Sequence, residues 1–227
     1  MPIQRPAAIV MGGVVIQEVV APVGIVYGAE DAAIQWPALI WDHWTPADWA
    51  AMCPDWTVLP LIDEPPTVAG KRAERLPMEE WTIGADAVTV TYRMVDLPQA
   101  EVEAAKAATW ERIKAERDRR TSGGGFRVMV DGSPCWFHSD TLSRSQHMGM
   151  FLMGASLPAG IMWKTMSGAF VEMTPAIATA VFYAAAASDQ AIFGAAEAHK
   201  AAMLESPDPA AYDFSAGWPV IYGEEAA

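Results

Sequence analysis

The stretch FRVMVDGSPCWFHSDTLSRSQ, residues 126–146, decides how the second half of the chain folds. Asp131 and Gly132 separate two apolar runs, and an Asp-Gly pair in this position favours a two-residue hairpin turn. The second run then gives way to short polar residues of the kind preferred at helix starts. We therefore expect a β-hairpin that is followed directly by a helix over about 141–155.

Three neighbouring residues in this stretch, His138, Ser139 and Asp140, are the residue types of a hydrolase triad. A triad needs its serine and histidine in hydrogen-bond contact, whereas consecutive residues on a strand point to opposite faces. We interpret the segment as the end of a strand, with Ser139 or Asp140 capping the next helix. We expect no catalytic residue here and no enzymatic activity in the chain.

The same alternation of hairpin and helix is repeated further along the chain. A second hairpin is expected around Ser167-Gly168, and Thr174 before a proline marks the start of an alanine-rich helix that reaches about residue 205. Residues 123–206 are therefore predicted to form a compact α+β domain in the order hairpin, helix, hairpin, helix.

The first 95 residues are predicted to be rich in short strands. Residues 7–20 contain two β-branched runs around Gly12-Gly13, which is typical of a hairpin. Residues 59–77 are rich in proline and charge, and we interpret them as a surface loop. This region, residues 1–95, is also rich in tryptophan.

Strong helix formers fill residues 96–122, and their apolar stripe is narrow. A narrow stripe favours an exposed connecting helix, or a seam between subunits, over a buried core helix. Residues 207–227 are interrupted by glycine and proline and are predicted to form an extended tail. The fold class is thus α+β, with a β-rich N-terminal region, a connecting helix, a C-terminal domain and a tail.

The composition excludes several functional classes. The chain has 28 acidic and 15 basic residues, so its formal net charge is −13, and a nucleic-acid partner is not expected. Cys53 and Cys135 lie far apart and no metal-ligand spacing or phosphate-binding loop occurs, so we expect neither a metal nor a cofactor. No uninterrupted apolar run reaches the ~18 residues of a membrane span, and none is expected.

Aromatic residues are the best candidates for a binding role. Half of the ten tryptophans lie within residues 36–56. Tryptophan and tyrosine rings can pack in a core or between subunits, and exposed rings can stack on sugars. We favour packing and keep a glycan-contacting patch as the alternative. The candidate interface or glycan contacts are Trp41, Trp44, Trp49, Tyr212 and Trp218.

Two stretches resemble proteins of tailed bacteriophages. Within residues 110–175, the segment IKAERDRR precedes a hairpin that begins after three glycines and ends in an aromatic residue close to Ser-Asp. A Ser-Arg pair follows, and then a tryptophan before the next turn. An alanine-rich helix and AYDFSAGWP follow. This skeleton resembles a domain of unknown function near the C-terminus of phage tail proteins. Residues 34–52, IQWPALIWDHWTPADWAAM, resemble a stretch common in tail-fibre proteins, although that pattern's asparagine is absent.

The resemblance implies a structural component of a phage tail, located in the virion and made in the cytoplasm of the host bacterium. Such a component would act by packing against other tail proteins and would be a homo-oligomer, for which a trimer is our expectation. The family has no assigned catalytic residues. Two alternatives stay open, namely a tail-fibre assembly chaperone and a tail module that contacts a host surface receptor or glycan.

Overall fold

The computed structural model describes residues 5–224 and divides the chain into two compact units, with the boundary between Leu97 and Pro98. The first unit is rich in strands, and the second contains the long helices. The predicted α+β class is therefore confirmed.

The first unit consists of short strands and two short helices. Its strands are β1 (Ala7–Met11), β2 (Val14–Val19), β3 (Ile25–Tyr27), β4 (Ile34–Trp36), β5 (Trp56–Ile62), β6 (Lys71–Arg75), β7 (Thr82–Ile83), β8 (Val88–Thr89) and β9 (Tyr92–Asp96). Its helices are α1 (Ile40–His43) and α2 (Pro46–Met52). Five strands form one sheet in the order β2-β1-β5-β8-β7, and β3–β4 and β6–β9 form separate antiparallel pairs.

Strand β1 lies in the interior of this sheet and is buried on both faces. Ala7 and Ile9 belong to one apolar cluster, and Ala8 and Val10 belong to another. Alternate residues of a strand point to opposite faces, so the two clusters cover the two sides of the sheet. The expected hairpin turn at Gly12-Gly13 is present, and both glycines have positive φ.

The expectation of a surface loop over residues 59–77 is wrong, because the end of β5 and all of β6 lie in that range. Pro60 obscures β5 in the sequence, since a proline cannot donate to a ladder. The amide of Leu61 donates to the Pro6 carbonyl, so the Pro60 nitrogen faces the opposite side. On that side β8 pairs only with Leu61 and Ile62, and Pro60 therefore costs the sheet no hydrogen bond.

The second unit follows the expected order of hairpin, helix, hairpin and helix after an initial long helix. Its helices are α3 (Gln99–Gly123), α4 (Thr141–Met153) and α5 (Pro175–Leu204). Its hairpins are formed by β10 (Phe126–Val130) with β11 (Ser133–Phe137), and by β12 (Met162–Lys164) with β13 (Phe170–Glu172).

The helix expected to be a connection and the segment expected to be an extended tail both belong to this second unit. Ile113 of α3 is fully buried against α5, in a cluster with Ala196 and Met203. The hydroxyl of Thr109 is also buried and donates to the Pro209 carbonyl at 2.9 Å. The alanines of α5 allow this close approach, because they add little bulk between two helix backbones.

Gly125 of the second unit occupies a position that requires glycine. Gly125 joins α3 to β10 with φ of +68°, and a Cβ there would meet the Met166 sulfur at 2.2 Å and the Phe137 carbonyl oxygen at 2.9 Å. We predict that Gly125→Ala lowers the free energy of unfolding by more than about 2 kcal/mol, through backbone strain and steric overlap. Chemical denaturation measures this change.

Gly123→Ala is the matched control, because Gly123 is the last residue of α3 and a Cβ there would meet nothing within 4 Å. This substitution should leave stability unchanged or raise it by up to about 1 kcal/mol. Equal effects of the two substitutions would contradict the requirement for glycine at residue 125.

Candidate interaction site

Arg144 of α4 connects four parts of the second unit. Its guanidinium forms a two-pronged ion pair with Asp189 of α5, at 2.6 and 2.8 Å. It also donates to the carbonyl of Ser139 at 2.5 Å and to the carbonyl of Thr121 near the end of α3 at 3.0 Å. The planar guanidinium suits this role because its donors point in fixed, diverging directions.

The segment after β11 caps a helix, as predicted. Asp140 accepts hydrogen bonds from the Ser143 amide at 3.0 Å and the Ser143 hydroxyl at 2.6 Å, and these bonds lower the pKa of its carboxyl group. Ser139 is buried, and its hydroxyl accepts from the Gly125 amide at 3.0 Å. Each of the two side chains therefore holds a backbone group in place.

His147 of α4 is buried among aromatic rings. Its ring centroid lies 4.3 Å from that of Trp163 and 5.9 Å from those of Phe126 and Phe137. Neither ring nitrogen has a hydrogen-bond partner within residues 5–224. Burial, together with the nearby His138, lowers the pKa of His147 to about 4, so the ring is neutral at pH 7.

A cleft of about 230 Å³ opens between α4 and α5 beside these residues. Its lining combines the ion pair and the buried histidine with apolar side chains, and comprises Arg144, His147, Met148, Phe182, Ala185, Ala186 and Asp189. Pockets for small molecules usually enclose about 300–1,000 Å³. The smaller volume suits a single apolar side chain from another protein.

Large apolar side chains surround the cleft on the protein surface. Phe151 stacks on Phe182 with ring centroids 4.2 Å apart, and Tyr183 meets Phe151 edge to face. Met148 and Leu152 are one helical turn apart on α4, so they lie on the same side of that helix. We name the set the α4–α5 face, and its members are Met148, Phe151, Leu152, Phe182 and Tyr183. Leu152 and Tyr183 are 74% and 63% exposed.

Helix α5 is long and apolar enough to cross a membrane, judged by length and composition alone. Only 17% of its most apolar window is buried within the described structure. A single helix of this kind is weak support for a membrane span, but its apolar surface is largely open to a partner.

The tryptophans proposed as contacts are mainly core residues. Trp41 and Trp49 are each 2% exposed, and the Trp41 indole donates to the Val23 carbonyl at 2.9 Å. Trp44 is half-buried, and its ring packs edge to face against Trp49. Trp41 and Trp49 therefore offer little ring surface to a glycan, and all three rings pack in the core cluster of the first unit.

Tyr212 and Trp218 are half-buried and pack within the second unit. The Tyr212 hydroxyl lies 3.0 Å from His199 Nδ1, and the Trp218 ring centroid lies 5.0 Å from that of His199. The guanidinium of Arg120 lies over the Trp218 ring and pairs with Glu224 at 2.8 and 2.9 Å. These residues attach the C-terminal segment to α3 and α5.

The sequence analysis missed Arg144, His147 and Asp189. One usable signal was present, because Asp189 is a single carboxylate within a long apolar run of α5. A carboxylate in such a run needs a partner, since desolvating an unpaired charge is costly. The sequence does not identify Arg144 as that partner, because 45 positions separate the two residues.

Residues 104–216 match the family model described as a domain of unknown function (DUF4376). The match lies within the second unit and includes Arg144, His147 and Asp189. No curated protein matches the chain. No solved structure matches it either.

The burial of His147 predicts a pH dependence of stability. Its pKa is about 4 in the folded chain and about 6.5 when unfolded, so acid favours the unfolded chain, which binds the proton more readily. The stabilisation is complete above pH 6.5 and is lost as the pH falls towards 4. The free energy of unfolding should fall between pH 7 and pH 5 in the wild-type protein. We expect this fall to be smaller in His147→Phe, by about 1 kcal/mol or more.

Denaturant titrations at several pH values measure this difference. His43→Gln is the control, because it also removes one histidine but at an exposed position outside the aromatic cluster around His147. Identical profiles for the wild-type protein and His147→Phe would show that His147 titrates normally in the folded chain.

Proposed function

We propose that this chain is a structural component of a bacteriophage tail, which acts by packing against copies of itself and against other tail proteins. The exposed α4–α5 face is the observation that carries this proposal. Large apolar side chains on adjacent helices seldom form an open surface on a monomer, and such patches commonly mark sites of protein association.

The charges around this face also favour burial in an interface. Arg144 and Asp189 are the ionised side chains that line the cleft, and each neutralises the other. A partner could therefore cover the face without burying an unpaired charge, which would be costly.

The residues that carry the resemblance to phage tail proteins have structural roles in this chain. Arg120 holds the C-terminal segment, Asp140 caps α4, and Arg144 joins α4 to α5. Contacts of this kind support a scaffold for packing. We therefore propose a location in the virion and a symmetric homo-oligomer, with a trimer as the expected state.

A tail-fibre assembly chaperone is the second candidate, because the α4–α5 face could equally cover a folding partner for a limited time. A receptor-contacting module is less well supported, since Trp41 and Trp49 are not available at the surface. The two favoured candidates differ in whether the chain stays in the finished particle.

Substitution on the α4–α5 face should dissociate the oligomer. Leu152→Asp places a charge on the most exposed residue of the face, and we expect it to weaken self-association at least tenfold, equal to about 1.4 kcal/mol. Leu142→Asp is the matched control, because Leu142 is 67% exposed on the same helix but lies on another side of it. Light scattering coupled to size-exclusion chromatography gives the mass of each species.

We expect the wild-type protein and Leu142→Asp to remain oligomeric under conditions in which Leu152→Asp is monomeric and folded. A wild-type chain that is monomeric at about 100 µM would contradict self-association through this face. Co-sedimentation with lipid vesicles, lost in Leu152→Asp, would instead assign the face to a membrane surface.

Mass spectrometry of purified particles tests the tail assignment. We expect the chain in virions of a phage that encodes it, in a fixed ratio to other tail proteins. Its absence from virions, together with its presence in the infected-cell lysate on immature fibres, would favour the chaperone. Absence from both would contradict the proposal.

A further inference from the structure

The outer edge of strand β10 is unpaired, whereas its other edge pairs with β11 along the whole strand. Residues Asp131 and Gly132 form a two-residue turn with positive φ at both positions, so the flanking pair Val130 and Ser133 closes the ladder. Antiparallel pairs alternate along such a ladder. The backbone N–H and C=O groups of Arg127 and Met129 therefore point away from β11.

The opposite edge of the hairpin, formed by β11, is blocked in two ways. Pro134 has no N–H group to offer, and the carbonyl of Trp136 already accepts a hydrogen bond from the Met166 amide at 2.9 Å. The hairpin is a two-stranded sheet, and no backbone group within residues 5–224 pairs with the outer edge of β10. Of the two edges of this hairpin, the β10 edge is therefore the one that can accept a further strand.

Arg127 gives the open edge a positive charge. Most basic side chains of this acidic protein pair with a carboxylate, and the exceptions among the described residues are Arg112, Arg127 and Lys164. Arg112 lies over the Phe214 ring. Arg127 is exposed at the surface, and it neither pairs with a carboxylate nor lies over an aromatic ring.

A groove of about 840 Å³ runs beside Arg127. Phe126 and Trp136 line it from the hairpin, Ala187 and Ser188 line it from α5, and Val220 lines it from the C-terminal segment. None of the lining side chains is acidic. The small residues of α5 leave room for a backbone, and the arginine supplies a single uncompensated charge for a carboxylate.

We propose that the β10 edge binds an extended acidic segment of a separate partner chain. The segment adds a third strand to the hairpin, with backbone hydrogen bonds to Arg127 and Met129 and a Glu or Asp side chain opposite Arg127. This surface differs from the α4–α5 face, and the inference goes beyond the proposed packing role. It does not depend on a phage context.

Binding of a labelled peptide to the full-length protein tests this proposal. The probes are two fluorescein-labelled heptapeptides, TVTETVT and TVTKTVT, which share strand propensity and differ in one charge. Fluorescence anisotropy gives the affinities, and amide chemical shifts identify the residues that contact the peptide. We expect saturable binding of TVTETVT at concentrations up to about 1 mM, with the largest shifts at Arg127 and Met129.

Three variants separate the contributions of charge and edge. We expect Arg127→Glu to weaken TVTETVT binding at least about fivefold and to favour TVTKTVT instead. Met129→Pro removes an outward N–H without breaking the ladder, and it should weaken both peptides while the charge is retained. Lys164→Glu is the control, because Lys164 is an exposed, unpaired basic residue on β12, outside the groove lining.

Several results would overturn the proposal. These are no saturable binding of TVTETVT, equal affinity for the two peptides, or equal effects of Arg127→Glu and Lys164→Glu. A second copy of the chain would be shown to occupy the edge if, without peptide, the wild-type protein is oligomeric and the Met129→Pro variant is monomeric. If Met129→Pro does not fold, the reversal of peptide preference by Arg127→Glu decides the question.

Discussion

The guanidinium of Arg144 needs partners for its donors in a partly buried position, and this requirement organises the second unit. A partly buried arginine that lost these partners would be destabilising, because its charge would stay partly desolvated. Its partners are Asp189 of α5, the Ser139 carbonyl before α4 and the Thr121 carbonyl near the end of α3. One side chain thereby fixes where three helices stand relative to each other. The cleft between α4 and α5, and the α4–α5 face around it, exist because these two helices are held in this arrangement.

The remaining contacts of the second unit extend this arrangement toward the C-terminus. Arg120 holds Glu224 and lies over Trp218, so the final segment covers the surface of α3 and α5 near Ile113. These polar anchors add to an apolar core that includes Phe126, Phe137 and Met173. Large apolar residues such as Leu152 and Tyr183 are exposed at the surface, where a binding partner could bury them. These exposed residues are the basis of the packing function that we propose.

Local chemistry made much of the fold predictable, whereas long-range pairing did not. The Asp131-Gly132 turn, the Asp140 cap and the Thr174-Pro175 helix start depend on neighbouring residues, and all three are present. Strand β5 is not predictable from sequence, because Pro60 is tolerated in the strand only where β8 does not pair with it. The sequence does not show where that pairing begins. The tryptophans were assigned to two alternatives because composition does not reveal burial. The Arg144–Asp189 pair and the open β10 edge depend on contacts and register, so the candidate sites could not be assembled from sequence alone.

A double-mutant cycle between Arg144 and Asp189 tests the central claim most directly. The free energy of unfolding would be measured for the wild-type protein, Arg144→Met, Asp189→Leu and the double variant. Each single substitution leaves one partly buried charge without its ionic partner, whereas the double substitution removes both charges. The account predicts a coupling energy of about 2 kcal/mol or more, with the double variant less destabilised than the sum of the single variants. Additive effects, with a coupling energy below about 0.5 kcal/mol, would contradict the role of this ion pair as the organising contact.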